Sequence, residues 1–345
     1  MKLPQQIQAW AAPEAKAKLV PQTFPLREPG ANEALLEVIA CGICHSDLHL
    51  IDNDWAISHY PLVPGHEILG RVVAVGAGVT HLVAGQMVGV GWQRSACLQC
   101  EDCLTARDNM CPQKKATCVG FLGGYADYHL TDAHYCFPMS EKVAKAEFAP
   151  LLCGGATVFN PLLQTLSSER ARTGRVGIVG LGGLGHLAVK FARAMGLEVT
   201  LFSSSPKKEQ EARAMGAHHF VASNERNAIA KIQRTLDLVL VTANVDLPWV
   251  EYLDTLRTDG TLCFVGLPPS PITFSVGSIL DKRTRVMGSP IASRAQICQM
   301  LEFCAHHRIS ADVERFAFDQ VNEAVEAVRA NRVHYRAVLT RGTAR

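Results

Sequence analysis

Two short motifs, Cys44-His45-Ser46-Asp47-Leu48-His49 and Pro64-Gly65-His66-Glu67, offer a thiolate and an imidazole to a common centre. Those donors suit a borderline-soft cation such as zinc, and two protein ligands leave its shell unfinished. Cys153, in Leu151-Leu152-Cys153-Gly154-Gly155, is the candidate third ligand because it opens directly onto a nucleotide-binding segment. Three protein ligands with a fourth position left for a substrate oxygen is the plan of a catalytic zinc. A second group, Cys97-x-x-Cys100-x-x-Cys103 with Cys111 further on, has a different character. Four thiolates at that spacing close a tetrahedral shell with no open position, which is a structural zinc; an iron–sulfur cluster is the chemical rival. Cys118 and Cys136 add no second ferredoxin-like repeat, and Arg107, Lys114 and Lys115 are too few for a nucleic-acid ribbon.

A third signal is Gly180-Leu181-Gly182-Gly183-Leu184-Gly185, which follows the apolar run Arg175-Val176-Gly177-Ile178-Val179 and precedes a helical pattern from His186 to Met195. Between a strand and a helix, such glycines permit a tight turn, close approach to a pyrophosphate and close helix packing. The next strand ends in Ser203-Ser204-Ser205-Pro206-Lys207-Lys208, where an NAD site would carry an acidic residue for the ribose. Hydroxyls and ammonium groups there would bind a 2′-phosphate, so the expected cofactor is NADP(H).

These groups need a scaffold. A chain of 345 residues is too long for one typical core, and 48% hydrophobic with 19% charged residues is a globular composition. The net charge of +2 offers no footprint for nucleic acid or an anionic membrane. The first residues lack the apolar core of a signal peptide and no stretch approaches 18 apolar residues, so a cytoplasmic enzyme is expected. Residues 1 to about 90 read as a small all-β unit, with runs such as Ala34 to Ala40 and Gly70 to Gly76 broken by Gly and Pro, and Cys44 and His66 on its loops. From Arg175 onward, strands around Glu198 to Phe202, Leu238 to Val241 and Thr261 to Gly266 alternate with helices, which predicts a doubly wound sheet ending in an edge strand at Val286 to Ser289. Helices at Gln296 to His306 and Asn322 to Arg329 and a strand near Ala337 to Leu339 return to the first domain.

Taken together, Cys41-Gly42-Ile43-Cys44-His45-Ser46-Asp47-Leu48-His49, Pro64-Gly65-His66-Glu67, the Cys97 to Cys111 quartet, Gly123-Gly124-Tyr125, Leu151-Leu152-Cys153-Gly154 and the nucleotide loop with its serine tail give the chain a resemblance. It resembles the zinc-dependent medium-chain alcohol dehydrogenases, and among them the cinnamyl alcohol dehydrogenase type and its bacterial relatives. The resemblance implies an α/β architecture: a GroES-like β-barrel catalytic domain with a structural zinc lobe over residues 1–154, a doubly wound parallel-sheet Rossmann domain over 155–288, and a return to the catalytic domain over 289–345.

It also implies two zinc ions per chain and NADP(H). Cys44, His66 and Cys153 would hold the catalytic zinc, with Glu67 beside it as a ligand when substrate is absent and Cys41 a bystander. Ser46 would take the proton of the alcohol and pass it toward His49. His45 and Arg336 would contact the pyrophosphate. Thr157, Thr242, Val265, Gly266 and Leu267 would flank the nicotinamide, and Met287-Gly288-Ser289 would add backbone. Trp55 and Trp92 would line the pocket for a small alcohol or aldehyde. The interval between Cys111 and Gly123 is shorter than in plant lignin enzymes, which removes part of the loop that shapes their aromatic pocket. A homodimer through the edge strand is implied, with tetramers in some members. Other readings of the scaffold are a conjugated alkene or iminium reductase and a non-catalytic cofactor-binding protein.

Overall fold

The structure, a computed structural model, describes residues 3–166 and 174–341. The chain divides into two compact units, Met1–Gly154 with Ala292–Arg345, and Gly155–Ile291.

The first unit is built on a seven-stranded sheet. Along it lie Val313–Ala317, Arg336–Thr340, Glu33–Ile43, Ile68–Val75, Met87–Val90 and Phe137–Pro138, with Tyr128–Asp132 also paired to Glu33–Ile43. The long strand Glu33–Ile43 is the axis of the unit, because it exchanges hydrogen bonds with three others. Leu36, Val38, Ile43, Ile68, Val72, Val88 and Val90 pack into one buried cluster beneath it. The reading of this region as all-β needs correction. Residues His45–Asp52 form an α-helix directly after Cys44, and Ser46 and His49 stand on it. The sequence carries the signal for it: Asp47, three residues after the cap, accepts the Cys44 backbone N–H at 2.9 Å. His66 does lie in an irregular segment, just before the strand Ile68–Val75.

The second unit holds a six-stranded parallel sheet. Its order across the sheet is His219–Ala222, Glu198–Ser203, Arg175–Val179, Leu236–Val241, Leu256–Phe264, Arg285–Gly288. Numbered by chain order this is 3-2-1-4-5-6, the doubly wound arrangement whose ligand crevice opens beyond the carboxyl ends of strands 1 and 4. Arg175–Val179 and Leu236–Val241 are the central strands and almost wholly buried, which explains their near-continuous apolar runs. Arg285–Gly288 is the exposed edge. No helix among the described residues is long and apolar enough to cross a membrane.

Candidate metal and cofactor sites

Cys44, His66, Glu67 and Cys153 come together in the first unit, their donor atoms all within 4.8 Å of one another. Three local devices bring them there. Cys44 caps the helix His45–Asp52. Gly65 (φ +100°) turns the chain so that His66 and Glu67 face inward, a conformation that L side chains rarely adopt. Cys153 ends the 3₁₀ turn Ala146–Leu152. Gly42 must be glycine, since a Cβ there would overlap the Glu67 carboxylate.

Asp47 is the organiser that sequence reasoning missed. Its carboxylate is fully buried, with Oδ1 accepting from the Gly65 backbone N–H at 2.9 Å and lying 2.8 Å from His66 Nδ1. Oδ2 takes the Cys44 N–H and lies 3.5 Å from the Tyr125 hydroxyl. One carboxylate thus joins the Cys44 and His66 segments and turns the imidazole so that Nε2 points at the sulfurs. That Nε2 is buried without a hydrogen-bond partner, as is Glu67 Oε2. Buried polar atoms are almost always paired, and an imidazole nitrogen left bare among two cysteine sulfurs and a carboxylate fits a metal ion. The Cys44 thiol is held well below its ordinary range, first by the hydrogen bond from Cys153 and, against burial, by His66 and Arg336, so it is ready to serve as thiolate.

Arg336, read as a pyrophosphate contact, also has a partner beside the cluster. Antiparallel pairing of Arg336–Thr340 with the end of Glu33–Ile43 brings it against Glu67, and the two form a buried ion pair. Burial raises the Glu67 carboxyl to about 7 even against the guanidinium. His45 is exposed on the first helical turn. Ser46 Oγ lies 3.7 Å from Cys44 Sγ. His49 places Nδ1 2.7 Å from Asp54 Oδ2 and its ring against Trp55 at 5.0 Å. Trp55 meets Trp92 edge-on at 6.0 Å, and Trp92 meets His66 edge-on at 4.9 Å. An aromatic wall therefore runs from His49 to the cluster.

Cys97, Cys100, Cys103 and Cys111 form a second group with all sulfurs within 4.8 Å. The N–H groups of Gln99 and Cys100 hold the Cys97 thiol down at about 6. A shell of four sulfurs without a nitrogen or oxygen donor fits a closed structural zinc.

In the second unit, Gly180 takes φ +95° directly after the first strand, and a Cβ on Gly185 would strike the Gly180 carbonyl. A Cβ on Gly182 would meet nothing within 4 Å, so this backbone faces open space where a pyrophosphate can approach. Leu181, Gly183 and Leu184 complete the turn, with Leu184 capping the helix Gly185–Ala194. Thr242 donates to the Val179 carbonyl at 2.8 Å, and the backbone N–H groups of Val265 and Gly266 donate to the Val241 carbonyl, so these predicted residues gather at the carboxyl ends of the strands. Leu267 follows, its N–H bound to Asn244, and Gly288 ends the edge strand. Thr157 is half-buried on the helix Gly154–Leu166. Ser203 is buried and its hydroxyl accepts the Ser205 N–H at 3.2 Å, which leaves Ser204 and Lys207 exposed. Lys208 donates to the Leu181 carbonyl at 2.7 Å, tying the serine tail to the glycine loop.

The family model described as alcohol dehydrogenase GroES-like domain matches residues 30–141, and that of zinc-binding dehydrogenase matches residues 183–306. Aldehyde reductase AdhA of Synechocystis sp. is 42% identical over 334 residues, 97% of this chain and 98% of its own. This chain belongs to the zinc-dependent medium-chain alcohol dehydrogenases. Within that family it sits with the cinnamyl alcohol dehydrogenase type. The solved cinnamyl alcohol dehydrogenase of Sorghum bicolor is 37% identical with a TM-score of 0.91, the match covering 97% of each chain. That of Helicobacter pylori, solved with NADP(H), is 29% identical with a TM-score of 0.88, covering 97% of this alcohol dehydrogenase and 98% of its own chain.

Proposed function

We propose that this alcohol dehydrogenase interconverts an aldehyde and its primary alcohol with NADP(H), chiefly reducing aromatic or medium aliphatic aldehydes. The observation that carries the reading is the buried, bare His66 Nε2 beside the sulfurs of the half-buried Cys44 and Cys153. Zinc bound by Cys44, His66 and Cys153 would supply a Lewis acid for the substrate oxygen, and NADP(H) on the glycine loop would supply or take the hydride.

The chain's own residues do the rest. Asp47 fixes the His66 ring and its tautomer. Ser46, next to Cys44, is placed to hold the proton of a substrate hydroxyl. His49 is the acceptor beyond it: Asp54 takes Nδ1, which leaves Nε2 to exchange the proton with solvent. Trp55 and Trp92 exclude water from one side and give an apolar surface to the substrate. Arg336 holds Glu67 by Oε1 and leaves Oε2 bare, so Glu67 can offer Oε2 as a ligand while the ion pair stands. The exposed Ser204 and Lys207 favour a 2′-phosphate, and the absence of a carboxylate along Ser203 to Lys208 supports NADP(H) over NAD(H).

A homodimer is part of the proposal, supported by the unpaired edge Arg285–Gly288 with exposed Val276, Leu280, Val286 and Met287 nearby. All twelve cysteines are free, which supports a reducing, cytoplasmic setting.

The deciding assay uses zinc-analysed protein with benzaldehyde, cinnamaldehyde and a short aliphatic aldehyde, each with NADPH and NADH. Reduction at least tenfold better with NADPH is expected, about 1.4 kcal/mol of discrimination. A preference for NADH would overturn the cofactor assignment alone. Fully zinc-loaded protein that reduces no aldehyde would overturn the reaction, and activity on a conjugated alkene would replace it.

A further inference from the structure

Trp92 stands on a segment fixed from both sides. Its ring meets His66, and its neighbour Gly91 lies so close to Leu152, the residue before Cys153, that a Cβ there would strike the Leu152 carbonyl. On the other side, the fully buried Thr117 donates its N–H to the Trp92 carbonyl at 2.8 Å, and its hydroxyl lies 2.5 Å from the Gly91 carbonyl. Gln93, the next residue, is buried and donates Nε2 to the Asp108 carbonyl at 2.9 Å and lies 3.3 Å from the Tyr135 hydroxyl.

Asp108 belongs to the turn Asp108–Met110, between the third and fourth cysteines of the lobe. Its carboxylate is only 2% exposed. It accepts the Tyr135 hydroxyl at 3.3 Å and the Arg294 backbone N–H at 3.3 Å, while the Arg294 guanidinium covers the Tyr135 ring at 5.4 Å. Gln93, Asp108, Tyr135 and Arg294 thus form one knot whose ends are the four-cysteine lobe and the segment bearing Trp92. Such a network is stiff because every member that loses its partner leaves a buried polar group unpaired.

We propose that Gln93 and Asp108 are positioning residues through which the four-cysteine lobe sets the place of Trp92, and with it the width of the substrate wall beside His66. The proposal rests on the reading of Trp92 as a wall of the substrate site. It gives the lobe a role in substrate fit besides its role in stability. Interactions felt equally by ground and transition state move KM and leave kcat, so the knot acts on KM for bulky substrates.

The test is a cycle of Gln93→Leu, Trp92→Ala and the double variant in zinc-loaded, full-length enzyme. Gln93→Leu should raise KM for benzaldehyde about five-fold, the loss of one buried hydrogen bond, with kcat within about two-fold and zinc per chain unchanged. The KM for a short aliphatic aldehyde should change little, and the increment should vanish in the Trp92→Ala background. Asp108→Asn, which keeps the shape of the side chain, should shift KM the same way. The Trp92 emission, taken as wild type minus Trp92→Ala, should also shift its maximum in Gln93→Leu. A lowered Tm with unchanged KM and emission would make the knot merely structural and overturn the proposal. An unchanged KM in Trp92→Ala itself would instead overturn the wall on which the proposal rests.

Discussion

The two sulfur-rich groups of the first unit are assembled on opposite principles. The quartet Cys97, Cys100, Cys103 and Cys111 comes from one stretch of chain, uses a single donor type, and leaves three of its four cysteines half exposed. Its thiols are steadied by local backbone, as where the Cys100 N–H reaches Cys97 Sγ at 3.3 Å. The group of Cys44, His66, Glu67 and Cys153 comes from three distant stretches, mixes sulfur, nitrogen and oxygen, and depends on the buried Asp47 to aim its imidazole. A saturated all-sulfur shell has nowhere to admit a substrate, whereas a mixed one with a displaceable carboxylate does. The difference teaches that closure can be local, while an open position has to be held by tertiary structure.

The largest effects test that contrast directly. Cys44→Ser should lower turnover by about 10³-fold or more, the several kcal/mol that Lewis-acid catalysis supplies. It should bring zinc from two per chain to one with little change in Tm. Cys103→Ser should also lose one zinc, but with a marked fall in Tm, because a structural metal contributes folding free energy. Elemental analysis beside thermal melts reads both. Two zinc ions and metal-dependent turnover retained in Cys44→Ser would end the ligand assignment.

How much of this was legible in the sequence follows the same division. The lobe and the glycine loop were plain because all their information lies within one short stretch; fixed spacing of Cys or Gly is itself the geometry. The donor types at Cys44, His66 and Cys153 were legible too, though their approach could come only from folding. What escaped was carried by tertiary pairing. Asp47 reads as a helix-capping carboxylate, and nothing in one sequence says that its second oxygen meets a histidine beyond the next loop. Arg336 meets Glu67 only because its strand pairs with the end of Glu33–Ile43. The strands Val313–Ala317 and His219–Ala222 went unread, the first being mostly exposed with little apolar alternation and the second only four residues long.

A smaller effect sharpens the comparison. Asp47→Asn keeps the size of the side chain but removes the charge facing the His66 ring. Loss of such an outer partner typically weakens metal binding 10–100-fold, and the lobe has no equivalent carboxylate to lose. Chelator competition should therefore release the two zinc ions of wild type at closer concentrations than those of Asp47→Asn, whose catalytic zinc should leave first. Co-release of both metals in the variant would deny Asp47 its role.

The smallest effect at neutral pH concerns a second buried histidine, which shows that a bare nitrogen alone does not make a metal site. His129, on the strand Tyr128–Asp132, has neither ring nitrogen hydrogen-bonded and is as buried as His66. No metal-capable group among the described residues includes it, so what separates the two is their company of sulfurs. Burial first, and the Arg94 charge second, hold His129 down at about 3, so it stays neutral in the fold. In the unfolded chain the same imidazole, near 6.5, takes up a proton as the pH falls. Below 6.5 the unfolded state therefore binds more protons than the folded one. His129 costs stability progressively from there down to about pH 3, by at most about 1.4 kcal/mol per pH unit, and costs nothing by titration above it. In denaturant melts across pH 7 to 4, His129→Leu should lose less stability than wild type, the two curves separating only below pH 6.5. Curves that stay parallel to pH 4 would mean that His129 finds a partner for its proton inside the fold.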